Sequence, residues 1–441
     1  MEQNKLRNVK IEKKGKFMTR QEKLIVVLGI LFISFNLRAP ITAVGSIVDM
    51  IQSDYSLSSA SAGFITTLPL IAFAVVSPFV SKLSNKYGHA STMMTGLIFI
   101  LLGILCRSYL GIYGLFIGTA IIGVGIAIGN VIIPAIIKKH FSKRVGLVTS
   151  IYTSGMCIFA AVGAGVSVPL ATGVDVGWKN SLAVWFVLAV VTIFIWSSQT
   201  RGERAAKKAN QEFEAKKAAK ANVVAASKNT NKQIARSSAA ATTYTSDKST
   251  SVWKSSLAWW VTLFMGTQSL IFYSLVAWLP TIITSKGLSV GFASSMALMF
   301  QLMAIPATLV IPIISDKLKN QKMLVLIVCM VYGAGMFLFL TGSTQAVLVA
   351  AILLMAIGMG GSISLSIAFI SLRSPNSQKA SELSGMAQSA GYLFAAAGPL
   401  VTGFIFDLKS SWTVPLILFI VLIGVLAFCG LFAGSDDTVQ E

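Results

Sequence analysis

Residues 24–51 read LIVVLGILFISFNLRAPITAVGSIVDMI, an apolar run long enough to cross a bilayer, with Arg38 near its middle. An arginine at the centre of a membrane helix costs roughly 2.5 to 3.5 kcal/mol on insertion scales, so such residues usually face a bundle interior or a wet cavity. Arg38 is therefore the leading candidate for a solute-binding residue. The alternative is that it pairs with backbone carbonyls or with a lipid headgroup.

The neighbours of Arg38 favour an interior position. Steps of three to four residues place polar or small side chains on one helical face, namely Ser34, Arg38, Thr42, Gly45 and Asp49. Pro40 removes a backbone hydrogen bond and clashes with the carbonyl of Asn36, which a kink would leave free. The stretch therefore predicts an interrupted helix that presents Arg38, Asn36 and Thr42 to a solute.

The composition places the whole chain in a membrane. Hydrophobic residues make up 55% and charged residues only 12%, whereas charged residues are about a quarter of a soluble domain. Apolar runs of spanning length recur at twelve places: 24–51, 60–81, 91–110, 112–137, 145–170, 181–199, 257–284, 291–314, 323–341, 346–371, 383–406 and 412–433.

The formal net charge of +20 is explained by the loops rather than by nucleic-acid binding. Basic residues crowd the tail 1–23 and then every second loop, while the intervening loops carry at most one each, Lys179, Lys286 and Lys409. By the positive-inside rule both termini are cytoplasmic, which requires an even number of spans. We therefore expect a multi-pass protein of a bacterial cell membrane that has no nucleic-acid partner.

One polar segment divides the chain. Residues 201–254 are rich in Ala, Lys, Ser and Thr, and they separate a six-span unit at 24–200 from another at 255–433, with a short tail at 434–441. We expect this segment to be a cytoplasmic linker. Its part Arg201–Lys220 favours a helix on the membrane surface, and the remainder reads as disordered.

The two units echo each other. Pro78, Ser81, Lys82 and Leu83 near the end of the second run match Pro312, Ser315, Lys317 and Leu318 near the end of the eighth. Pro40 likewise matches Pro280, which places Trp278 opposite Arg38. The sequence thus predicts an all-α membrane protein with twelve spans in two six-helix bundles, related by a parallel pseudo-two-fold repeat.

This organisation resembles the major facilitator superfamily, which carries a Gly-x-x-x-Asp-Arg-x-Gly-Arg motif between its second and third spans. The corresponding residues here read Ser81-Lys82-Leu83-Ser84-Asn85-Lys86-Tyr87-Gly88-His89. Lys86 and Gly88 match the motif, while the usual aspartate is missing. The resemblance implies gating roles for Lys86 and Gly88, and for Asp316 with Lys317 in the second unit.

Four strings are similar to a narrower family, the cyanate and 2-nitroimidazole transporters: NLRAPITAVG at 36–45, GNVIIP at 129–134, QSLIFY at 268–273 followed by AWLP at 277–280, and GMAQ at 385–388 leading to Gly391-Tyr392. The resemblance implies a secondary transporter that moves a small polar or anionic solute by alternating access. Two alternatives remain, a uniporter or exporter of an unrelated drug-like molecule and a membrane sensor that does not transport.

Several polar residues lie deep within spans, where the fold would place a central cavity: Asn130, Tyr152, Gln268, Tyr273, Gln301 and Gln388. Each of them could instead form an interhelical hydrogen bond, which is common in membranes. Trp278 is a candidate stacking wall beside Arg38. Arg107, near the outer end of its span, is expected to reach the outer interface.

The chain lacks the groups that other functions need. No span carries a nucleophile, base or metal-ligand cluster, and the glycines of the fourth and tenth runs fit neither a dinucleotide fingerprint nor a P-loop. We therefore expect no enzyme, no cofactor and no metal, but a monomer whose partners are a small-molecule substrate and the bilayer. The acidic residues nearest to a span are Asp49, Asp175, Glu382 and Asp407, so we predict that any proton moves with the substrate rather than on a carboxylate.

Overall fold

The computed structural model describes residues 20–57, 59–173, 176–229 and 251–439, and in this part of the chain helices are joined by short loops, without a strand. Twelve of its helical stretches are long and apolar enough to cross a membrane, which confirms the predicted number. The α-helices are Arg20–Asn36, Ala39–Ser46, Val48–Tyr55, Ser59–Tyr87, His89–Tyr109, Gly111–His140, Val145–Gly173, Gly177–Ala183, Trp185–Asn229, Ser256–Ser285, Val290–Leu302, Ile305–Lys317, Lys322–Thr341, Gln345–Leu372, Ser377–Lys409 and Thr413–Ala433.

Three of the twelve spans consist of two helices each, and span 6 is divided at Val184, between Gly177–Ala183 and Trp185–Asn229. Span 1 breaks between Arg20–Asn36 and Ala39–Ser46, so that Leu37 and Arg38 are not helical. Pro40 lies in the first turn of the second helix, where its missing N–H leaves no bond unmade. The predicted interruption is thus present. Span 8 breaks in the same way at Met303 and Ala304, an interruption that the sequence analysis did not foresee.

The spans form two bundles of six. The buried apolar side chains of spans 1–6 form one core and those of spans 7–12 form a second. Residues of spans 10 and 11, such as Ile367 and Tyr392, join the first core from across the interface. The halves meet mainly where span 2 packs on span 11 and where span 5 packs on span 8. We call these two contacts the 2–11 seam and the 5–8 seam.

The helix of span 6 does not stop at the expected linker boundary. It continues without a break to Asn229, so the segment after Arg201 extends span 6 and is not a separate surface helix. The rest of the expected disordered stretch, 230–250, lies outside the described residues. Within this extension, Glu203 accepts hydrogen bonds from the backbone N–H groups of His89, Ala90 and Ser91 at 2.9–3.1 Å. It therefore caps the N-terminus of span 3.

The ends of the spans define two sides. The end of the bundle that carries Lys82, Lys138 and Lys317 is called the basic end. Both seams lie between this end and the middle of the spans. Hydrogen bonds join the halves near Arg38 and on the basic side of it. The structure is therefore closed at the basic end.

Candidate solute-binding site

A cavity lies between the two halves at the level of the break in span 1. Its empty space, with its open side included, amounts to about 360 Å³. Its lining comes from both halves: Arg38, Asn130, Tyr152, Met156, Met265, Gln268, Ser269, Phe272, Tyr273, Ile363, Ser366, Ile367, Gln388 and Tyr392. A mid-membrane pocket at the interface of two repeats is the typical location of a transporter substrate site.

Arg38 is the one charged residue of this lining. Because span 1 is broken there, the side chain leaves a non-helical turn and reaches across to span 7. Its Nη1 donates to the hydroxyl oxygen of Tyr273 at 3.2 Å, and its Cζ lies 5.9 Å from the centre of the Phe272 ring. A guanidinium on a ring face is held by the ring quadrupole, and this contact keeps its planar edge available to a ligand.

A short network of polar groups closes the basic side of the cavity. The hydroxyl of Tyr152 donates to Asn130 Oδ1 at 2.9 Å, and Asn130 Nδ2 lies 3.5 Å from the hydroxyl of Tyr392 in the other half. Tyr392 in turn lies edge-on to Tyr273, with ring centres 6.3 Å apart. The network links spans 4, 5, 7 and 11, so a ligand at Arg38 would contact groups from both halves.

Two buried amides leave atoms without a partner at the cavity wall. Gln268 Oε1 accepts from Ser269 at 3.3 Å, but Gln268 Nε2 and Gln388 Oε1 have no hydrogen-bond partner. An unsatisfied buried donor or acceptor costs about 1–3 kcal/mol. The cavity therefore offers one amide donor and one amide acceptor, in addition to Arg38, to whatever fills it.

Four of the predicted contact residues do not line the cavity. Asn36 turns towards span 6 and donates to Thr192 Oγ1 at 2.7 Å, while the Thr42 hydroxyl donates back to the Arg38 carbonyl at 3.2 Å. Trp278 donates to the Pro399 carbonyl at 2.9 Å and packs on Trp412, so the aromatic wall beside Arg38 is Phe272 instead. Gln301 lies two residues before the break in span 8 and is not part of the lining.

The sequence analysis missed the aromatic and sulfur part of the lining. Met156 and Met265 are ordinary residues of an apolar helix, so composition gives no signal for them, whereas Phe272 lies within the string QSLIFY at 268–273. Tyr392 had a signal, because it lies one turn after Gln388 on the same helical face and belongs to the string that leads to Gly391-Tyr392.

Arg107 was expected at the outer interface, and this expectation is wrong. Its side chain is 1% exposed, and its Nη1 donates to the carbonyl of Pro40 in span 1 at 2.7 Å. Gly118 explains the burial, because any side chain there would overlap the Arg107 backbone. Span 4 therefore packs directly over the end of span 3 and encloses the arginine.

The comparisons with known proteins agree with this geometry. The model of the Major Facilitator Superfamily matches residues 26–396. The chain belongs to this superfamily. YycB, an uncharacterized transporter of Bacillus subtilis (strain 168), is 40% identical over 94% of this chain and 95% of that protein.

Two further relatives of this protein have names that state a solute. The 2-nitroimidazole transporter of Escherichia coli (strain K12) is 34% identical over 96% of this chain and 98% of that protein. The cyanate transport protein CynX of the same organism is 23% identical over 88% and 91%, respectively. The resemblance to the cyanate and 2-nitroimidazole transporters is thereby confirmed, and the protein is a transporter and not an enzyme.

A solved structure supports the fold of this protein. The proton:xylose symporter XylE, bound to 6-bromo-6-deoxy-D-glucose, superposes with a TM-score of 0.67 at 16% identity and covers 95% of this chain and 97% of XylE. At this identity the match shows the fold alone. It confirms the all-α architecture of two six-helix bundles.

Two of the four predicted gating residues lie in a turn of the first half, and the other two lie at or beside the 5–8 seam. Gly88 has a φ of +100°, and a Cβ there would overlap the Glu203 carboxylate. The neighbouring Lys86 is exposed and lies over the ring of Tyr87. Both therefore belong to a turn held within the first half. Asp316 lies at the 5–8 seam and accepts hydrogen bonds from the backbone of Gly146 and Leu147, and Lys317 beside it is exposed.

The acidic residues discussed for proton coupling fall partly outside the described structure. Asp175 lies between described segments, and the side chains of Asp49 and Asp407 are also outside the description. Glu382 forms an ion pair with Lys379 at 3.3 Å near the basic end of span 11, away from the cavity lining. The coupling expectation stays a prediction.

Proposed function

We propose that this protein is a secondary transporter that moves a small planar anion or a nitro-bearing solute by alternating access, with Arg38 as the anchoring residue. One observation carries the proposal. A single cation and two unpaired amide atoms, on Gln268 and Gln388, face one cavity between the two repeats of the fold.

The chemistry of these groups defines the solute class. A guanidinium fork suits a planar group with two acceptor oxygens, such as a carboxylate or a nitro group. Phe272 offers an aromatic face beside it. The free amide donor and acceptor of the glutamines add a hydrogen bond of each kind. The 2-nitroimidazole named for one relative has a nitro group, a flat ring and a ring N–H, which complement all three features.

The closed basic end is what an outward-facing state of the transport cycle requires. The positive-inside rule makes this end cytoplasmic, with both termini in the cytoplasm of a bacterial cell. The structure then corresponds to an outward-facing state, in which the seams separate the cavity from the cytoplasm. A solute that binds Arg38 competes for the contact with Tyr273, which joins spans 1 and 7 across the halves. Such differential contacts are what a ligand needs to shift the balance between two states.

The proposal treats units 24–200 and 255–433, joined by residues 201–254, as the two halves of one working monomer. No carboxylate lines the described cavity, so a proton that accompanies the solute would travel on the solute itself. The same observation keeps uniport as the second candidate mechanism. The two differ in whether an inward proton gradient drives accumulation above equilibrium.

The test uses the purified full-length protein in proteoliposomes. Counterflow of 2-nitroimidazole, cyanate and benzoate is measured for the wild type, for Arg38→Gln and Arg38→Lys, and for the control Arg144→Gln, which removes an exposed arginine outside the cavity. Loss of charge-assisted hydrogen bonds worth about 1.5–3 kcal/mol predicts roughly 10- to 150-fold weaker binding for Arg38→Gln. Arg38→Lys keeps the charge but loses the fork, so we expect a smaller loss.

Saturable counterflow that weakens in this order, with Arg144→Gln unchanged, supports the proposal. If the Arg38→Gln protein inserts into the membrane and shows counterflow as fast as that of the wild type, Arg38 does not bind the solute. Binding without any flux or counterflow would instead favour a membrane sensor.

A further inference from the structure

Arg107 forms a second buried cationic site that the central cavity does not use. It lies in the last turn of span 3 and is 1% exposed within the core of the first half. One edge of its guanidinium is occupied, because Nη1 donates to the Pro40 carbonyl at 2.7 Å. The other edge is open, since Nε and Nη2 are both buried and lack a hydrogen-bond partner.

No carboxylate of the described residues forms an ion pair with Arg107. A buried charge without a partner is strongly disfavoured, and buried arginines in membrane proteins pair with groups that satisfy them. The Nε and Nη2 atoms are the two donors that meet a planar oxyanion side-on. The arrangement is therefore that of an arginine fork without its acceptor.

A separate small cavity lies against this arginine, with about 220 Å³ of empty space when its open side is included. Its other walls are Ile41, Val44, Ile65, Pro69, Thr119 and Ile122. The hydroxyl of Thr119 donates to the carbonyl of Leu115 at 2.7 Å, which leaves Arg107 as the free donor of the lining. None of these residues lines the cavity at Arg38. Apart from Arg107 and Thr119 the walls are apolar, so the open edge of the guanidinium is the polar face of this small space.

We propose that Arg107 holds a small planar monoanion, of the class of formate, acetate or nitrate, in a second site inside the first half. The ligand lies side-on against Nε and Nη2. Two walls of this cavity, Ile41 and Val44, belong to the short helix Ala39–Ser46, and so does Pro40. The anion thus fixes the helix that begins directly after Arg38, and it acts on the central site through the position of this helix.

The site is tested on purified full-length protein that also carries Arg38→Gln, so that anion binding in the central cavity is removed. Thermal unfolding is followed against formate, acetate and nitrate at constant ionic strength, with gluconate as the bulky reference anion. We expect a saturable rise in Tm for the small anions, of several degrees at about 100 times the Kd. Adding Arg107→Gln should abolish it.

A second variant covers the case in which Arg107→Gln fails to fold. Val44→Phe fills the cavity and keeps Arg107, so it should also abolish the rise, whereas Val75→Phe at an exposed position of span 2 should leave it unchanged. The proposal is overturned if Arg38→Gln protein shows no saturable rise. It is equally overturned if the rise survives in a folded Arg107→Gln protein or in Val44→Phe. Because the readout contains no transport step, these outcomes are independent of the proposed function.

Discussion

The 2–11 seam and the 5–8 seam occupy equivalent positions in the repeat but close the basic end with different chemistry. At the 2–11 seam the contacts are hydroxyl groups: Ser84 with Ser381 at 3.1 Å, and Ser389 with the Ala74 carbonyl at 2.7 Å. At the 5–8 seam similar hydroxyl contacts, such as Ser150 with the Leu309 carbonyl at 2.7 Å, are joined by the carboxylate of Asp316.

The difference follows from where each partner helix begins. Span 5 starts at Val145, so Gly146 and Leu147 lie in its first turn, where backbone N–H groups have no acceptor within the helix. Asp316 supplies that acceptor. Span 11 starts at Ser377, two turns before its seam residue Gly385, so the N–H groups at that seam are already bonded within the helix. A carboxylate is useful at one seam and has nothing to bind at the other.

The largest expected effect compares the same substitution at both seams. A Cβ at Gly146 would overlap the Pro312 carbonyl, whereas a Cβ at Gly385 would lie 2.9 Å from the Ser77 carbonyl, a smaller conflict. Overpacking costs about 1–3 kcal/mol, so Gly146→Ala should shift the population away from the closed basic end by roughly 5- to 150-fold. Gly385→Ala should shift it much less.

Spin-label distances measure this shift, in a background without the four native cysteines. Labels at Ser142 and Asn320 report on the 5–8 seam, and labels at Asn85 and Gln378 report on the 2–11 seam. Gly165→Ala, in the same span but with nothing within 4 Å of its Cβ, is the matched control. Equal opening by Gly146→Ala and Gly385→Ala would contradict the asymmetry.

The carboxylate itself is the next comparison. Asp316→Asn weakens a helix cap and its interaction with the helix dipole, which are together worth about 1–2 kcal/mol. We expect the 5–8 distance to open about 5- to 30-fold more often, while Lys317→Gln, which removes the adjacent exposed charge, changes it little. An unchanged distance in Asp316→Asn would show that the cap does not hold this seam.

A smaller effect is expected from the hydroxyls of the 2–11 seam. Ser84→Ala and Ser381→Ala each remove one partner of a single neutral hydrogen bond, which is worth about 0.5–1.5 kcal/mol. In a double-mutant cycle on the closed population, the pair should show a coupling of about 0.5–1 kcal/mol. Full additivity would mean that this bond does not form in the closed state.

The smallest effect is expected from a carboxylate introduced at the 2–11 seam, which should not tighten its closure. The sequence match pairs Lys82 with Lys317, but Lys82 stands four residues after Pro78 as Asp316 stands four after Pro312, so Lys82→Asp places a carboxylate at the same distance from the proline beside the 2–11 seam. Because span 11 offers no free N–H groups there, we expect the label distance at that seam to stay the same. Tighter closure in Lys82→Asp would show that the position of the helix start does not explain the difference.

Much of this architecture could be predicted from the sequence. The hydropathy pattern gave the twelve spans, and the pair of Arg38 and Pro40 gave the break in span 1, because both a buried charge and a proline have a cost that the fold must meet. Gln268 and Tyr273 were predicted as cavity residues from polarity and from their family string, and both line the cavity.

The predictions that failed concern residues whose positions depend on packing between helices. Trp278 was aligned with Arg38 through the prolines of the two repeats, but span 7 is an unbroken helix, so Trp278 points at Pro399 within its own half. Arg107 was judged by its distance from the end of a span, whereas its burial depends on Gly118 in the next span. Such contacts between helices leave no periodic signal in a single sequence.

Glu203 has a mechanical consequence for the proposed alternating access. Glu203, in the helix of span 6, binds the first backbone N–H groups of span 3 and packs against Gly88. The turn at Gly88 is therefore fixed to span 6 and cannot act as a hinge within the first half. The first half can then rotate as a rigid body, and the motion concentrates at the two seams. Because the helix of span 6 continues without a break to Asn229, its whole length moves with this body.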